Sequence, residues 1–477
     1  MDNPTWDEQE PEEEEKRSRE PVDLPRARLI TIEPALFLLT FAVTMTGPVL
    51  QNFIVMKTCE VTLHYNFSVC DNLSNLKPIE DQIQPYSVQL IMYKSLIEAI
   101  IPAALSFFLG PWSDHNGRKP LLMIPTIGYM LLNAIYMVLS MNFAWESSPN
   151  FLLIASIPVA MTGGFVAFVT GAFCYLSDIS TPAERSWRMG VAEAALLLGL
   201  PTGLASSSYL LKFGGYVMVF ATCSCACLLA LLYVIYFVPE SIQTSESTRQ
   251  SVFDVRLIKE MVATCWKPRS GYRRLTMFLV MGTMASIIFS LDGDISVSYL
   301  YTRERFGWEI QDFTLYSSAS VLASTVGSLI GLHLFSRTLK LEDAPLAAFA
   351  CLLKAVSLMV LALASMSWMM YAGSAIGILG GLSSPLCRAI LSKSVHADDV
   401  GKVFSLASSL EALTPIAAAP LYTIIYKATF LTVPGAFYML SSGLYVANFV
   451  FLVVVAVVFY KYPASSYAQI GAGLEVN

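Results

Sequence analysis

The feature of this sequence that most constrains its fold is a series of long apolar runs separated by short polar connections. A helix that crosses the hydrocarbon core of a bilayer needs about 20 mostly apolar residues, and its backbone polar groups must be bonded within the helix. Twelve runs meet this requirement, and we number the predicted helices α1 to α12 at roughly 30–55, 87–111, 121–141, 149–177, 187–211, 216–238, 274–300, 312–336, 344–366, 369–392, 402–427 and 434–460. The pattern predicts an all-α membrane protein with twelve transmembrane helices.

Composition and charge exclude the common soluble classes. Of the 477 residues, 14% are charged and 55% are hydrophobic, whereas an ordinary globular protein is about 25% charged. The net charge of −6 is concentrated in residues 1–28, whose ten acids and five bases give −5. The rest of the chain is nearly neutral, so we expect the lipid bilayer and no nucleic acid as a partner.

A Ser-rich, basic segment divides the predicted helices into two groups of six. We expect five regions: a disordered acidic cytoplasmic tail (1–29), a six-helix bundle (30–238), a cytoplasmic linker (239–273), a second six-helix bundle (274–460) and a cytoplasmic tail (461–477). Lys and Arg are concentrated in one alternate set of connections, and connections rich in these residues lie on the cytoplasmic side. This distribution predicts that both termini are cytoplasmic.

The 56–86 connection is predicted to face the outside or a lumen. It contains two acceptor sequences for N-glycosylation, at Asn66 and Asn72, and two cysteines, Cys59 and Cys70, that are candidates for a disulfide. The alternative is that the acceptor sequences occur there by chance.

Two polar connections carry a pattern of charge and glycine. The connection after α2 reads Gly110-Pro-Trp-Ser-Asp114-His-Asn-Gly117-Arg118-Lys119, and the connection after α4 contains Asp178 and Arg185. An acid such as Asp114 can pair with a base and cap the N-terminus of a neighbouring helix, while glycine permits tight turning. An ionic latch at Asp114 would bias the two groups of helices relative to each other, and the alternative for either connection is a solvated loop.

These motifs resemble those of a known superfamily. The first resembles the G-x-x-x-D-x-x-G-R-[RK] signature between the second and third helices of the major facilitator superfamily, and the second resembles another charged gate of that superfamily. Blocks that begin at Glu33, Arg188 and Arg388 resemble solute carrier family 46, which contains the proton-coupled folate transporter and its relatives in thymic stroma and lysosome. The resemblance implies two six-helix bundles with a small-molecule substrate held between them near the midplane.

The residues that mark the folate branch of that family are absent from this sequence. That branch carries a histidine in the seventh helix, where this chain has Phe289, and an acid in the fourth helix, where this chain reads Thr162-Gly163-Gly164. The resemblance therefore implies the transporter family without implying folate as the substrate.

Ionisable side chains inside the predicted helices are the main candidates for function, because a charge at membrane depth costs at least a few kcal/mol. Glu193 in α5 matches the family's acid in that helix. An acid in an apolar and intermittently wet cavity can take up a proton near neutral pH, so we predict that Glu193 is the proton-coupling residue. The alternative is a structural ion pair with Arg188.

Two acids in α7, Asp292 and Asp294, are further candidates for proton coupling. Gly293 lies between them and predicts a break in α7 with exposed carbonyl groups. The alternatives are that either acid binds a cationic part of the substrate, or that it pairs with Arg303 and Arg305 at an outer gate.

Four more charged residues are candidates for binding the substrate. Lys94 and Glu98 are four residues apart in α2, so they can also form a self-neutralised pair across one helical turn. Arg388 in α10 resembles the family's arginine and can hold a carboxylate or phosphate with two hydrogen bonds. Glu411 in α11 is its expected counter-ion, and the alternative for Arg388 is a structural role at the inner gate.

The sequence predicts a transporter rather than an enzyme. The four histidines lie in separate segments, so we expect no metal site, and a G-x-x-x-x-G-K-[ST] loop for ATP is absent from the sequence. We predict a proton-coupled secondary transporter of an organic anion that works by alternating access, without a cofactor and as a monomer. The alternatives are a lysosomal exporter of muropeptides, cyclic dinucleotides or conjugates, and a non-transporting receptor on the same fold.

The membrane in which the protein resides is left open between two possibilities. Tyr467-Ala-Gln-Ile470 in the C-terminal tail is a tyrosine-x-x-apolar pattern of the type that directs endocytic and lysosomal sorting. Such four-residue patterns are common by chance, so the sequence indicates the plasma membrane or the endolysosomal membrane.

Overall fold

The computed structural model describes residues 31–71, 73, 76–141, 146–179, 185–241, 263, 266, 272–332, 334–335, 339, 341–395 and 397–461. In this part of the chain, long helices are joined by short connections, and the all-α prediction is confirmed. The predicted N-terminal tail, most of the predicted linker and the segment after residue 461 lie outside the described residues, as does Asn72.

The first three helices are α1 (Glu33–Lys57), α2 (Lys77–Asn116) and α3 (Lys119–Leu139). Each has a proline in its first turn, where the missing N–H group has no intrahelical acceptor to lose. This start signal places the beginning of α2 at Lys77, ten residues before the predicted run at 87. The hydropathy pattern missed these residues because they are polar and lie beyond the apolar part of the helix.

The fourth helix, α4, is interrupted. It consists of a 3-10 turn at Pro149–Leu153 followed by two α-helical pieces, Ser156–Met161 and Gly164–Ile179. At the interruption, Gly163 and Gly164 have φ angles of +86° and +59°. This left-handed region is open to glycine at little steric cost, so the Gly163-Gly164 pair permits the break.

The next two helices, α5 (185–213) and α6 (216–237), follow each other directly within Arg185–Phe237. Gly214 and Gly215 between them have non-helical dihedral angles, with φ of +66° at Gly215. The chain reverses at this point. Tyr216, just after the reversal, packs on Phe53 near the end of α1, and Ile235, near the end of α6, accepts a hydrogen bond from Lys119 at the start of α3.

The second half repeats this pattern of six helices. Its helices are α7 (Arg273–Phe306), α8 (Ile310–Gly331), α9 (Asp343–Ala362), α10 (367–394), α11 (Ala397–Thr429) and α12 (Ala436–Lys461). The fourth of these, α10, is interrupted like α4, because a 3-10 segment at Gly377–Leu382 separates its two α-helical pieces, Ser367–Ile376 and Ser383–Ser394. Interrupted helices at corresponding positions in two halves are typical of the substrate region of secondary transporters.

The seventh helix, α7, is continuous from Arg273 to Phe306, so the predicted break at Gly293 is wrong. A Cβ atom at this position would lie 2.4 Å from the ring of Tyr422 in α11. Glycine is therefore needed here for a close approach of two helices rather than for a change of chain direction.

Ten segments of the described chain are long and apolar enough to cross a membrane. One of them, Val191–Phe237, is 47 residues long and contains the reversal between α5 and α6. Dividing this segment at the reversal and adding α11, which is 33 residues long and more polar, gives twelve long helices in the described part of the chain.

The two ends of the bundle differ in the residues that they carry. At one end, Cys59 and Cys70 are joined in a disulfide, with a Cα–Cα distance of 5.9 Å, and Asn66 between them is exposed. We call this the disulfide end. The opposite end, where Arg118 and Glu240 meet, is called the linker end.

Candidate functional site

A cavity of about 220 Å³ lies between the two halves of the molecule. Its walls are formed by α1, α2 and α3 of the first half and by α7 and α11 of the second. Most of the lining is apolar, and three charged residues predicted from the sequence face it, namely Lys94, Glu98 and Asp292. A largely apolar cavity with a few polar groups is the usual form of a small-molecule site.

The Lys94–Glu98 pair is held on one side of this cavity. Lys94 Nζ lies 2.6 Å from Glu98 Oε2, and Glu98 Oε1 accepts a hydrogen bond of 2.7 Å from the Ser156 hydroxyl of α4. Both carboxylate oxygens therefore have a partner, which offsets the cost of placing the charge away from bulk water. Ser156 also joins the start of the interrupted helix α4 to the cavity wall.

The two acids of α7 have different surroundings. Asp292 faces the cavity, and Thr414 Oγ1 of α11 lies 3.5 Å from its Oδ2 atom. Asp294 is absent from the cavity lining, and its Oδ1 atom accepts a hydrogen bond of 2.7 Å from Ser441 Oγ of α12. Residues two positions apart on a helix point about 200° apart, which explains the separation.

The proposed pairing of these acids with Arg303 and Arg305 is wrong. Arg303 Nε instead lies 2.8 Å from Glu80 Oε1 of α2, and Arg305 Nε donates to the carbonyl of Ala364 at 3.4 Å.

Lys354 of α9 is a charged residue that the sequence interpretation missed. Its side chain lies across Gly377 and Gly380 of the 3-10 segment in α10, and it interacts electrostatically with Asp294. The sequence did contain a signal, because Lys354 stands alone in the apolar run Leu352-Leu353-Lys354-Ala355-Val356. The rule that selected Lys94 and Asp292 applies to it equally.

Arg388 and Glu411 pair with each other outside the cavity. Arg388 Nη2 lies 3.2 Å from Glu411 Oε2, and the Arg388 side chain is 42% exposed against 14% for Glu411. This contact joins α10 to α11. In this conformation the two side chains do not line the cavity.

Glu193 is exposed on α5. Among the described residues it makes no hydrogen bond or ion pair, so the alternative pairing with Arg188 is not formed. It is also not part of the cavity lining in this conformation.

At the disulfide end, a buried polar network joins the two halves. Arg303 of α7 contacts Glu80 of α2, and its Nη1 atom donates to Asn52 Oδ1 of α1 at 3.0 Å and to the Tyr299 hydroxyl at 3.1 Å. Glu80 is 2% exposed and Arg303 is 7% exposed. Buried charges require such partners, because an unpaired one is strongly destabilising.

Further hydrogen bonds of the described residues also join the halves. Lys427 Nζ donates to Gln89 Oε1 at 3.2 Å, Gln51 Nε2 donates to the Ile295 carbonyl at 3.4 Å, and Ser318 Oγ donates to the Pro201 carbonyl at 2.9 Å. Within the described chain, the hydrogen bonds between the halves thus extend from the middle of the bundle to the disulfide end. The cavity is closed on that side.

At the linker end, the charged connections meet inside the first half. Arg118 Nε lies 2.8 Å from Asp178 Oδ2, which ties the two predicted gates together. Glu240 Oε1 accepts from the backbone N–H of Arg118 at 2.7 Å, and its Oε2 atom accepts from that of Lys119 at 3.2 Å. Gly117, with φ of +95°, allows this approach because a Cβ there would lie 2.6 Å from Glu240 Oε2.

Glu240, which the sequence interpretation missed, thus caps the start of α3. The negative charge of Glu240 also suits the positive end of the α3 dipole. The side chains of Asp114 and Arg185 lie outside the described residues.

Comparisons with known proteins agree with this architecture. The Major Facilitator Superfamily model matches residues 33–420. The probable peptidoglycan muropeptide transporter SLC46 of Drosophila melanogaster is 31% identical over 430 residues, which cover 87% of this chain and 83% of that protein. The chain belongs to solute carrier family 46 of the major facilitator superfamily.

Two other similar proteins place this family 46 member in context. The lysosomal proton-coupled steroid conjugate and bile acid symporter SLC46A3 of Homo sapiens is 28% identical over 433 residues, covering 87% of this chain and 92% of that protein. The crystal structure of the human organic anion transporter MFSD10 (TETRAN) superposes with a TM-score of 0.63 at 16% identity, covering 88% of this chain and 97% of that one, and shows the shared fold. This family 46 protein is a multi-pass membrane transporter rather than an enzyme.

Proposed function

We propose that this family 46 transporter is a symporter that moves an organic anion together with protons by alternating access of its two bundles. The observation that carries the proposal is the cavity between the halves, which holds Lys94, Glu98 and Asp292 and is closed at the disulfide end. A site enclosed between two bundles and sealed at one end is the arrangement that alternating access requires.

Coupling follows from the chemistry of the cavity. Lys94 is paired with Glu98 in this conformation. An anionic solute can displace Glu98 from Lys94, whose ammonium group then binds a carboxylate, sulfate or phosphate of the solute. Asp292 in the same cavity and Glu193 on α5 are the residues to which we assign the coupled proton.

Asp294, Arg388 and Glu411 complete the proposed functional residues. Asp294 is the proton-binding candidate inside the second half. Arg388 and Glu411, with the Arg388 side chain partly exposed, suit an anion that approaches or leaves along α10 and α11 rather than one held in the cavity.

The orientation and location of the transporter are part of the proposal. The distribution of Lys and Arg supports a cytoplasmic linker end with both termini cytoplasmic. The exposed acceptor at Asn66 and the nearby disulfide support an outside or lumenal disulfide end, in the plasma membrane or the endolysosomal membrane. We further propose that Asp114, Gly117 and the Arg118–Asp178 contact, with Lys119 and Arg185, form the gate at the linker end.

Transport into liposomes tests this proposal. The purified full-length protein is reconstituted, and entry of a radiolabelled muropeptide and of a radiolabelled steroid sulfate is followed at one external pH, with and without a pH gradient. We expect one of these solutes to accumulate above its external concentration only when the gradient is present. Liposomes without protein are the control.

The other outcomes separate the alternatives. Entry that stops at the external concentration in both conditions would contradict proton coupling. Saturable binding of a solute without entry would replace the proposal with the receptor alternative.

A further inference from the structure

The side chain of Lys354 lies in a polar cluster of the second half that the cavity does not include. Its stem crosses the 3-10 segment of α10, and a Cβ atom at Gly380 would lie 3.0 Å from both Cβ and Cδ of Lys354. Glycine at this position therefore leaves the space that the lysine stem fills. Ser357, one turn further along α9, donates to the carbonyl of Gly373 at 2.7 Å and fixes the same contact between α9 and α10.

Asp294 of α7 is the acid with which this lysine interacts electrostatically. Its Oδ1 atom accepts from Ser441 Oγ of α12 at 2.7 Å, and Ser441 Oγ lies 2.6 Å from the Tyr422 hydroxyl of α11. The next residue of α12, Ser442, donates to the carbonyl of Ala355 beside Lys354 at 2.9 Å. The cluster thus connects α7, α9, α10, α11 and α12.

Lys354 carries a positive charge, unlike the other ionisable groups that interact with Asp294. Those groups are the tyrosines Tyr316 of α8, Tyr422 of α11, and Tyr438 and Tyr445 of α12. A tyrosine hydroxyl is ordinarily neutral below about pH 9. Within the described chain, Lys354 is therefore the cation that balances the charge of Asp294.

We propose that Asp294 and Lys354 bind a proton as one unit, and that the charge of this unit sets the position of the 3-10 segment of α10. The inference rests on the proton coupling proposed above, since it states where the second half takes up its proton. When Asp294 is ionised, Lys354 is held toward it. When Asp294 is protonated, the ammonium group loses its partner, and the stem of Lys354 shifts against Gly377 and Gly380. Short 3-10 stretches inside helices are common at hinges, which suits this role.

Thermal unfolding of the purified full-length protein tests the pair without any solute. Unfolding midpoints are recorded at about pH 5 and about pH 8 for the parent protein, Asp294→Asn, Lys354→Met and the double variant. Each single variant leaves one charge without its partner, so we expect its midpoint at pH 8 to fall by about 4 °C or more. The midpoint of the double variant is expected to lie close to that of the parent protein. The contribution of Asp294 and Lys354 to the pH dependence of the midpoint should be absent.

The pH dependence of the single variants provides a second readout. In Lys354→Met, Asp294 can be neutralised by a proton, so the loss of midpoint at pH 5 is expected to be smaller than at pH 8. The Asp343–Lys393 pair, which joins α9 to α10 at an exposed position, is the matched control. Asp343→Asn and Lys393→Met are expected to have small, additive effects.

Several outcomes would overturn the inference. A double variant that loses as much in its unfolding midpoint as the two single variants together would show that the two charges do not form a unit. A double variant with a midpoint no higher than theirs would show the same. Gly380→Ala is expected to disturb the lysine stem and to reduce the coupling measured in the double-variant cycle; unchanged coupling would remove the link to α10.

A transport measurement separates this inference from the proposed function. If the parent protein accumulates a labelled muropeptide or steroid sulfate in the gradient assay, Lys354→Gln is expected to flatten the pH profile of entry. An unchanged pH profile would make the pair a structural one. If the parent protein moves neither solute, the proposed symport fails, while the unfolding cycle still decides whether Asp294 and Lys354 share a proton.

Discussion

At the scale of single residues, Lys94 provides the cavity with a positive charge that can bind an anion. Its ammonium group lies 2.6 Å from Glu98, which is itself bonded to Ser156. A cation already desolvated by the protein can bind an anion more strongly than one that must first lose its water. The Glu98 carboxylate that neutralises Lys94 would therefore compete with an anionic solute for the ammonium group.

Replacing Lys94 with Gln is expected to raise the KM for an anionic solute by about tenfold or more, because one charge-assisted hydrogen bond is lost. Initial rates of gradient-driven entry into liposomes, measured over a range of solute concentrations, check this. Lys212→Gln, at an exposed lysine that does not line the cavity, should leave KM unchanged. Equal KM values for the Lys94 variant and the parent protein would exclude Lys94 from the site.

Asn66 is exposed at the disulfide end, beside Cys70 and within an acceptor sequence. When the protein is made in animal cells, Asn66→Gln and Ser68→Ala are each expected to remove one glycan. Both variants should then show the same increase in electrophoretic mobility as a partial digestion with an N-glycosidase. If neither variant differs from the parent protein, this end faces the cytoplasm or the site is unused.

Much of the site could be read from single residues, and the omissions have a physical reason. Counting charges in apolar runs found Lys94, Glu98 and Asp292, because each is costly unless it has a function or a partner. The partners themselves depend on distant helices. The residues next to Arg303 in the sequence did not indicate that it would form an ion pair with Glu80. Those next to Arg118 did not indicate that Glu240 would cap the helix that follows.

At the scale of secondary structure elements, glycine has two different roles in these helices. It either interrupts a helix or allows a neighbouring helix to approach closely. Gly163 and Gly164 break α4 with positive φ angles, whereas Gly293 stays helical and receives the ring of Tyr422. All three positions hold the same residue type, so local propensity could not separate the two uses. The tertiary neighbour decides, which is why the break predicted at Gly293 was wrong.

Gly163→Ala is expected to destabilise the protein by about 1–2 kcal/mol from backbone strain alone, since an L-residue is forced into the left-handed region. The added Cβ would also lie 2.8 Å from Ala167 Cβ and from Leu109 Cδ1. The unfolding midpoint of the purified variant measures this loss.

Gly282→Ala in α7 is the matched control. This position has nothing within 4 Å of an added Cβ and lies inside a helix, so alanine should be neutral or stabilising by about 0.5–1 kcal/mol. Similar midpoints for the two variants would mean that α4 is not broken at Gly163 in the folded protein.

At the scale of the whole molecule, the two halves are joined by hydrogen bonds from the middle of the bundle to the disulfide end. Such an arrangement lets the halves separate at the linker end while they stay together at the other. The series of long apolar runs predicted both the membrane class and the number of helices, because each run is long enough to cross a bilayer. Which end is closed depends on contacts between residues more than 200 positions apart, such as Glu80 and Arg303.

Linking the halves across the disulfide end is expected to stop transport. Gln89→Cys and Lys427→Cys replace two side chains that are hydrogen-bonded at 3.2 Å, and a short bismaleimide can join them. The cross-linked double variant should retain less than about a tenth of its uptake, because alternating access needs this end to open. Each single variant treated with the reagent is the control. Full uptake by the cross-linked protein would contradict a rocking movement of the halves about the cavity.

In the alternating access proposed above, closing the disulfide end withdraws the charges of Glu80 and Arg303 from water, and opening it returns them. Dissolved ions screen charges that face the solvent over a Debye length of about 8 Å at physiological ionic strength, but they scarcely reach a buried pair. Salt in the compartment at the disulfide end therefore stabilises the opened molecule and leaves the closed one almost unaffected. The electrolyte on that side alone thus lengthens one half of each turnover, whatever solute is carried.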